Sequence, residues 1–480
     1  MSWIDEKSDR ELSRVREAKD SSVYPYFRPF ESGGLRTSVG GHKIISFSSN
    51  DYLGLTTHPD VIRASHIALD RYANGMSSSR IQATTVEHVK LEARLAKYFG
   101  FEACLITTTG YQAMVGTIMA LADEDTTIIL DALSHACILD GSFLAAGVPG
   151  KESELRLFNH NSIKGLERVL KSRERKNALV VVEGIYSLDG DLGKLAEITE
   201  ICARYDAPLI VDDAHGSGTL GTHGRGTLEK LGLEGRAPII VTTFSKVFGG
   251  IGGVILASAN VIEHIKHTAR SFVFSATLPV PVVAAAATIL DMLEAHGPEM
   301  VRELSDKAEF MRRELTRRGF DLGDSTTHIM PVMVREEKTA LLMHQILYGA
   351  GYYLVPITSP GVKAGEERLR LNVTRGHTYA ELASLIEKLT DLGKTMKIVD
   401  EERYRAFAAN PKMEVPRDRD GIFPPPKSSG DVPAMHAESR TNGGWVSEIA
   451  RKMPHAPRWA QFMMPPAWVY EKVRSRVAGE

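Results

Sequence analysis

The sequence has 480 residues, 43% of them hydrophobic and 25% charged, enough for two or three domains that each bury a core. A formal net charge of -2 gives no overall field to recruit nucleic acid or an anionic membrane. Cys104, Cys137 and Cys202 show no paired or C-x-x-C spacing, which argues against a disulfide framework and a structural zinc site.

The N-terminus, MSWIDEKSDRELSRVREAKD, is charged and has no apolar stretch of signal-peptide length. No apolar run approaches the roughly 18 residues of a membrane span, so the expected location is the cytoplasm. Residues 1–55 read as an N-terminal arm. In residues 56–290, CLITTTG, TTIILDA, ALVVVEG, APLIVDDAHG, PIIVTTFSK and GGVILAS are short strands, apolar throughout, as strands buried on both faces are. YQAMVGTIMALA and LAEITEICARY, between them, have helical spacing. Strand and helix in alternation predict an α/β domain with a mostly parallel sheet. The loop between PIIVTTFSK and GGVILAS is too short for a crossover helix, so that pair is expected to be antiparallel. Residues 291–397 change pattern: helix VRELSDKAEFMRRELTRRGF, strand HIMPVMV, helix TALLMHQILYGAG, strand RLRLNVT and helix YAELASLIEKLTDLG predict a smaller α+β domain. Residues 398–444, rich in Pro, Gly, Ser and charge, read as a linker. The tail, 445–480, mixes Trp445, Trp459 and Trp468 with arginines and lysines.

Chemistry-bearing residues fall at the strand ends. In TTTGYQA, Gly110 opens a helix whose first N–H groups could take a phosphate. His135 follows the strand TTIILDA; Glu183 ends the strand ALVVVEG, and Ser187 and Asp189 follow it. Asp212 and Asp213 end LIVDD at the carboxyl edge, where open α/β sheets bind ligands. With His215 they read as structural residues or as a metal-ligand pair; no second ligand cluster accompanies them, so no metal is expected. Lys246 follows IIVTTFS and precedes a glycine-rich run. Arg368 and Arg370 share one face of a strand and call for a carboxylate or phosphate partner. A phosphate cradle, a histidine, a strand-end aspartate, a lysine and a distant arginine together form the set that pyridoxal 5'-phosphate requires. Its aldehyde needs a Schiff-base lysine, Lys246. Its pyridine nitrogen needs an aspartate, and its phosphate needs donors such as Thr243.

YFRPFESG, SSNDYLGLTTHP, TTTGYQAMVGTI, LDALSHACILDG, VVEGIYSLDGDL, VDDAHGSGTLGTHGRG, TTFSKVFGG, SFVFSATLP and RLRLNVTRGHT resemble, in that order, the α-oxoamine synthase family of fold-type I pyridoxal-phosphate transferases. The resemblance covers roughly residues 23–396. It implies a large domain with a mostly parallel seven-stranded sheet and a smaller C-terminal α+β domain. By the same resemblance Lys246 holds the cofactor aldehyde, Asp212 its pyridine nitrogen and His215 its phenolic oxygen. His135 stacks on the ring, and Gly110, Tyr111 and Thr243 bind the phosphate. Ser187 lies near the cofactor, and Asn50 and Arg370 hold the substrate carboxylate. A homodimer is implied, with Ser275 reaching the partner's phosphate. The implied reaction is a decarboxylative condensation of an amino acid with an acyl thioester, giving an α-amino ketone.

Ser77, Ser78 and Ser79 stand where members that make biotin or haem precursors carry glycines. Several other stretches resemble members that join serine to a long acyl chain. Serine with a medium or long acyl thioester is therefore the expected pair. Glycine or alanine with a shorter donor, including the biotin-pathway and aminolevulinate-type reactions, is the alternative. Coenzyme A and an acyl carrier protein both stay open as the donor's carrier. An aminotransferase and a non-catalytic partner subunit of the same fold are the rival readings. For the tail, packing on the catalytic domain, a partner groove and peripheral membrane contact are the readings weighed.

Overall fold

The computed structural model describes residues 2–20, 24–359 and 361–418. The 445–480 tail and most of the 398–444 segment lie outside the described residues. The described chain forms two compact units, one of residues 2–49 with 307–418 and one of residues 50–306. The N-terminal part opens with helix α1 (Trp3–Asp20) and the hairpin β1 (Arg36–Val39) and β2 (His42–Ser46).

Residues 50–306 begin with helices α2 (Pro59–Tyr72) and α3 (Val86–Phe99). A seven-stranded sheet follows, built from β3 (Ala103–Thr107), β4 (Thr126–Asp131), β5 (Glu154–Phe158), β6 (Asn177–Glu183), β7 (Leu209–Asp212), β8 (Ile239–Thr243) and β9 (Gly253–Ala257). Their order is β3-β9-β8-β7-β6-β4-β5. β5, β4, β6, β7 and β8 run parallel, whereas β9 pairs antiparallel with both β8 and β3, as the short loop requires. Every residue of β4, β7, β8 and β9 is buried. β5, at the sheet edge, is only half-buried over most of its length.

The connecting helices are α4 (Gly110–Leu121), α5 (Ala136–Ala146), α6 (Ile163–Ser172), α7 (Leu195–Arg204), α8 (Thr227–Leu231), α9 (Ala259–Thr268) and α10 (Arg270–Val273). One core joins Met114 and Ile118 of α4 and Ile138 of α5 to Leu130, Val181, Ile210, Val241 and Ile255 of the sheet. Helix α11 (Val280–Arg317) runs 38 residues. The two units therefore divide inside it, at 306/307, and not at the 290/291 change of sequence pattern. The apolar N-terminal half of α11 continues the helical spacing of its second half. That half is long and apolar enough to cross a membrane, but half of the stretch is buried inside the protein. Asp291 and Glu294 interrupt the apolar run, so counting uninterrupted runs passes over it.

The other unit continues with β10 (Ile329–Met333), α12 (Glu337–Gly349), β11 (Tyr352–Tyr353), β12 (Val355–Ile357), β13 (Arg368–Asn372), α13 (Tyr379–Thr395) and α14 (Glu401–Ala409). β13 lies between β10 and β12, and β2 lies between β1 and β11. Residues 36–49 join this unit because β2 pairs with β11 and Phe47 is buried with Leu371, Leu382 and Ile386. Arg36 adds a two-pronged ion pair to Glu381 in the first turn of α13. α14 falls in the segment read as linker. Asp400 caps it, and Phe407 packs beneath the fully buried Arg318 guanidinium at 4.4 Å.

Candidate active site

Parallel strands deliver their carboxyl ends to one edge, and the register sets Glu183 of β6 beside Asp212 of β7. His135 arrives there from β4 through a short turn. Leu133 N–H donates to Asp131 Oδ1 at 2.8 Å, and Ser134 N–H to the Asp131 carbonyl at 3.1 Å. The His135 amide then donates to Glu183 Oε1 at 2.7 Å. His135 also caps α5: its Nδ1 accepts the Cys137 amide at 3.2 Å, with Cys137 Sγ 3.1 Å away. An accepting Nδ1 leaves the proton of the neutral ring on Nε2. Cys137 Sγ is 3.9 Å from Asp212 Oδ2, so this buried thiol bridges the histidine and the aspartate.

The electrostatics fit this crowding. Loss of water lowers the His135 pKa; Asp212 opposes that and the Lys246 charge reinforces it. Part of the ring still faces solvent. Burial lifts Glu183 well above the carboxylate range, the Asp212 charge adds to it, and Lys246 opposes it. Burial likewise lifts the Cys137 thiol, with Asp212 and Glu183 adding. Asp213 serves a different end. It accepts from Thr227 N–H at 3.0 Å and from the Thr227 and Ser217 hydroxyls, and burial raises it to about 7.

Lys246 sits in the tight turn after β8, half-buried. Gly249 N–H donates to the Lys246 carbonyl at 3.0 Å, and Gly250 N–H to that of Phe244 at 2.9 Å. The glycine run has a steric cause. Gly249 has φ +63°, and a Cβ on Gly253 would collide with the Thr109 carbonyl where β9 returns past the start of α4. Thr243 Oγ1 accepts from Ser245 N–H at 3.1 Å and lies 2.9 Å from the Gly252 carbonyl and 2.7 Å from the Ser245 hydroxyl. Its hydroxyl is thus engaged in holding the turn, and Ser245 is exposed beside it.

Thr109 caps α4 through Gln112 N–H at 3.0 Å. The first amides of α4 have no carbonyl one turn earlier to bond. Gly110 packs so closely that a Cβ would lie 2.9 Å from Thr243 Cβ. Tyr111 hydrogen-bonds Asp140 of α5, and its ring centroid is 6.4 Å from that of His135. Ser275 Oγ accepts from Gln112 Nε2 of its own chain at 2.9 Å. On the other flank the buried Tyr52 hydroxyl is 2.7 Å from His215 Nδ1 and 3.0 Å from Asn50 Oδ1. Ser187 is half-buried in the turn after β6. Arg370 belongs to the other unit, half-buried in mid-β13 between Pro331 and Val355.

Tyr52, Cys137, Gln112 and Ser245 are the neighbours that motif reading passed over. Tyr52 lies inside SSNDYLGL, two residues from Asn50, and that proximity was the one available signal. Among the described residues no group of three or more His, Cys, Asp or Glu side chains could hold a metal.

The side chains present fit pyridoxal phosphate. The α4 start, tightened by Gly110 against Thr243, suits a phosphate; Asp212 suits a protonated ring nitrogen; and Lys246 carries its charge to the same edge as His135 and Glu183.

The family description aminotransferase class I and II matches residues 42–389. Serine palmitoyltransferase of Sphingobacterium spiritivorum is 34% identical over 387 residues, covering 80% of this chain and 95% of that protein. An 8-amino-7-oxononanoate synthase of Geobacter sulfurreducens is 36% identical over 393 residues, covering 81% and 98%. Among solved structures, one described as SPT with PLP internal aldimine superimposes with TM-score 0.78 at 31% identity, covering 83% of this chain and 100% of that one. Serine palmitoyltransferase of Sphingomonas wittichii gives TM-score 0.77 at 32% identity, covering 82% and 99%.

Proposed function

The chain belongs to the class I and II aminotransferase family, among its α-oxoamine synthases, and from that premise we propose that it joins serine to a medium or long acyl thioester with loss of carbon dioxide. It is a pyridoxal-phosphate-dependent acyltransferase of the condensing type. The strand-end register carries the reading: it sets Asp212 beside Glu183 and aims His135 at the edge that feels the Lys246 charge.

The bound cofactor supplies an electron sink for negative charge at the amino acid's α-carbon. Lys246 would hold the cofactor's aldehyde end, and its amine, once released, would take the α-proton and later return a proton to the product. Asp212 would keep the ring nitrogen protonated, and His215 would hydrogen-bond the phenolic oxygen. His135, neutral with its proton on Nε2, would lie on the ring face. The amides of Gly110 and Tyr111 and the Ser245 hydroxyl would take the phosphate, joined by Thr243 if its hydroxyl turns from the Gly252 carbonyl. Ser187 would adjust the cofactor's surroundings, and Asn50 and Arg370 would orient the substrate carboxylate.

Relatives named for serine and for 8-amino-7-oxononanoate match at similar identity, which keeps glycine or alanine with a shorter donor as the second reading. Homodimer assembly with Ser275 completing the partner's site, a cytoplasmic location, and lipid synthesis as the purpose go with the first reading. The 445–480 tail is proposed to shield the acyl chain, in preference to contact with a membrane.

Purified protein loaded with pyridoxal phosphate is expected to show a visible absorbance band that Lys246→Ala abolishes. A panel of amino acids against acyl-coenzyme A and acyl-carrier-protein thioesters, scored by thiol release, tests the substrates. Reaction with succinyl or pimeloyl donors alone would overturn the long-chain reading. Rapid formation of pyridoxamine phosphate with an amino acid alone would favour transamination.

A further inference from the structure

One imidazole ties together three loops at the carboxyl edge of the sheet. His160, in the turn after β5, has Nδ1 3.0 Å from Asp131 Oδ1 and Nε2 2.9 Å from Asp191 Oδ2. Asp131 is the last residue of β4, fully buried, and Asp191 is in the loop after β6. Two carboxylates on opposite ring nitrogens require a proton on each, so His160 is an imidazolium. Burial pulls its pKa down, but its hydrogen bonds to Asp131 and Asp191 and their charges outweigh that and lift it to about 10. The Tyr186 ring meets the imidazole edge-on, centroids 4.4 Å apart.

Asn161 doubles the tie. It takes the left-handed φ of +50° that asparagine tolerates. Its amide donates to Asp131 Oδ2 at 2.8 Å, and its side-chain NH2 to Asp191 Oδ2 at 2.9 Å and the Leu192 carbonyl at 3.1 Å. Nothing in the proposed reaction uses His160, Asp131 or Asp191. Yet Asp131 Oδ1, which faces His160, also accepts the Leu133 amide that starts the turn toward His135. The end of that turn is held by Glu183, at the head of the loop that carries Asp191. The two loops that fix the His135 backbone are the two that His160 bridges.

We propose that His160 is a positioning residue for His135: its two hydrogen bonds lock the β4–α5 turn to the β6 loop and so fix where the His135 ring points. This rests on the functional reading above for what His135 does, though the clamp itself belongs to the cofactor-free chain. Glutamine at 160 can donate to one carboxylate but not to both, which leaves the other buried carboxylate short of a partner.

Hydrogen exchange on the cofactor-free protein tests the clamp. His160→Gln is expected to speed exchange of the 131–137 segment by about tenfold or more and to leave β8 unchanged. In the loaded enzyme it should preserve the absorbance band, alter the cofactor's visible circular dichroism, and lower kcat about 10- to 100-fold with KM changed less than about threefold. In a His135→Ala background the same substitution should change residual kcat by less than about twofold, because the two act as one. Unchanged protection at 131–137, or an equal loss of kcat with and without His135, overturns the proposal. Should His160→Gln unfold the protein, Asp191→Asn, which removes the carboxylate charge facing Nε2, is judged by the same measurements. A wild-type protein with no visible cofactor band would sink the functional reading and leave the exchange result to judge the clamp.

Discussion

Tyr52 shows how much a single side chain can organise. Its ring is fully buried, and its hydroxyl lies between His215 Nδ1 at 2.7 Å and Asn50 Oδ1 at 3.0 Å. The Asn50 oxygen accepts, so the phenol proton goes there and His215 donates its Nδ1–H to the phenol oxygen. Tyr52→Phe keeps the packing and removes one partner from each neighbour. It should cost about 1–3 kcal/mol in urea denaturation and shift the pH at which the bound cofactor's visible band changes. A stability within about 0.5 kcal/mol of wild type and an unmoved spectral titration would show that the phenol orders neither group. Lys246, Asp212 and His135 stand out in the sequence as candidates because each ends or follows an apolar strand at the edge where parallel sheets bind ligands. Tyr52 was not, because its partner is 163 residues away. Cys137 read as a stray thiol, since nothing local announces that α5 begins on His135 and brings Sγ within 3.9 Å of Asp212.

At the level of elements, legibility followed burial. β4, β6, β8 and β9 announced themselves as uninterrupted apolar runs. β5, half-buried at the edge with Glu154 and Arg156 paired along one face, did not. The hairpin β1–β2 went unread for the same reason, and it is β2 that leads into Phe47 and the buried His377 at the head of α13. His377 Nε2 donates to the Ser46 carbonyl at 3.1 Å, Nδ1 accepts from Thr374 N–H at 3.1 Å, and the ring stacks on Phe47 with centroids 4.1 Å apart. Burial, with the Arg36 and Lys307 charges reinforcing it against the Ser46 hydrogen bond, lowers its pKa to about 3. The unfolded chain takes up this proton below 6.5 and the folded chain does not, so the His377 contribution is present above 6.5 and lost as pH falls. Between pH 7 and pH 5 that amounts to about 2 kcal/mol. The stability gap between wild type and His377→Gln in urea should shrink by about that amount over the same interval. A gap that stays constant would place the native pKa near its unfolded value.

For the whole molecule, two expectations concern what lies beyond one catalytic edge. If Ser275 completes the partner's site, neither Lys246→Ala nor Ser275→Ala protein has an intact site, yet a mixed dimer has one. The refolded mixture should then exceed the summed activity of the two separately, and a mixture equal to that sum would dismiss the shared site. The second expectation concerns the tail. Truncation must spare α14, because Phe407 lies under Arg318 and Arg317 donates to the Lys412 carbonyl at 2.9 Å. A chain ending at 418 should bind pyridoxal phosphate normally but show a raised KM for long acyl thioesters and not for short ones. Unchanged chain-length dependence would remove the tail from the reaction, whereas a chain ending at 400 should simply lose stability. The sheet order β3-β9-β8 has a consequence for synthesis. β3, which leads into the phosphate end, pairs with a strand that ends at Ala257, about 150 residues later along the chain. On the ribosome, Thr109 and Gly110 emerge long before the lysine turn that must pack against them. The cofactor site therefore closes late: a nascent chain halted before residue 253 carries Gly110 and Lys246 but lacks the strand that joins β3 to β8.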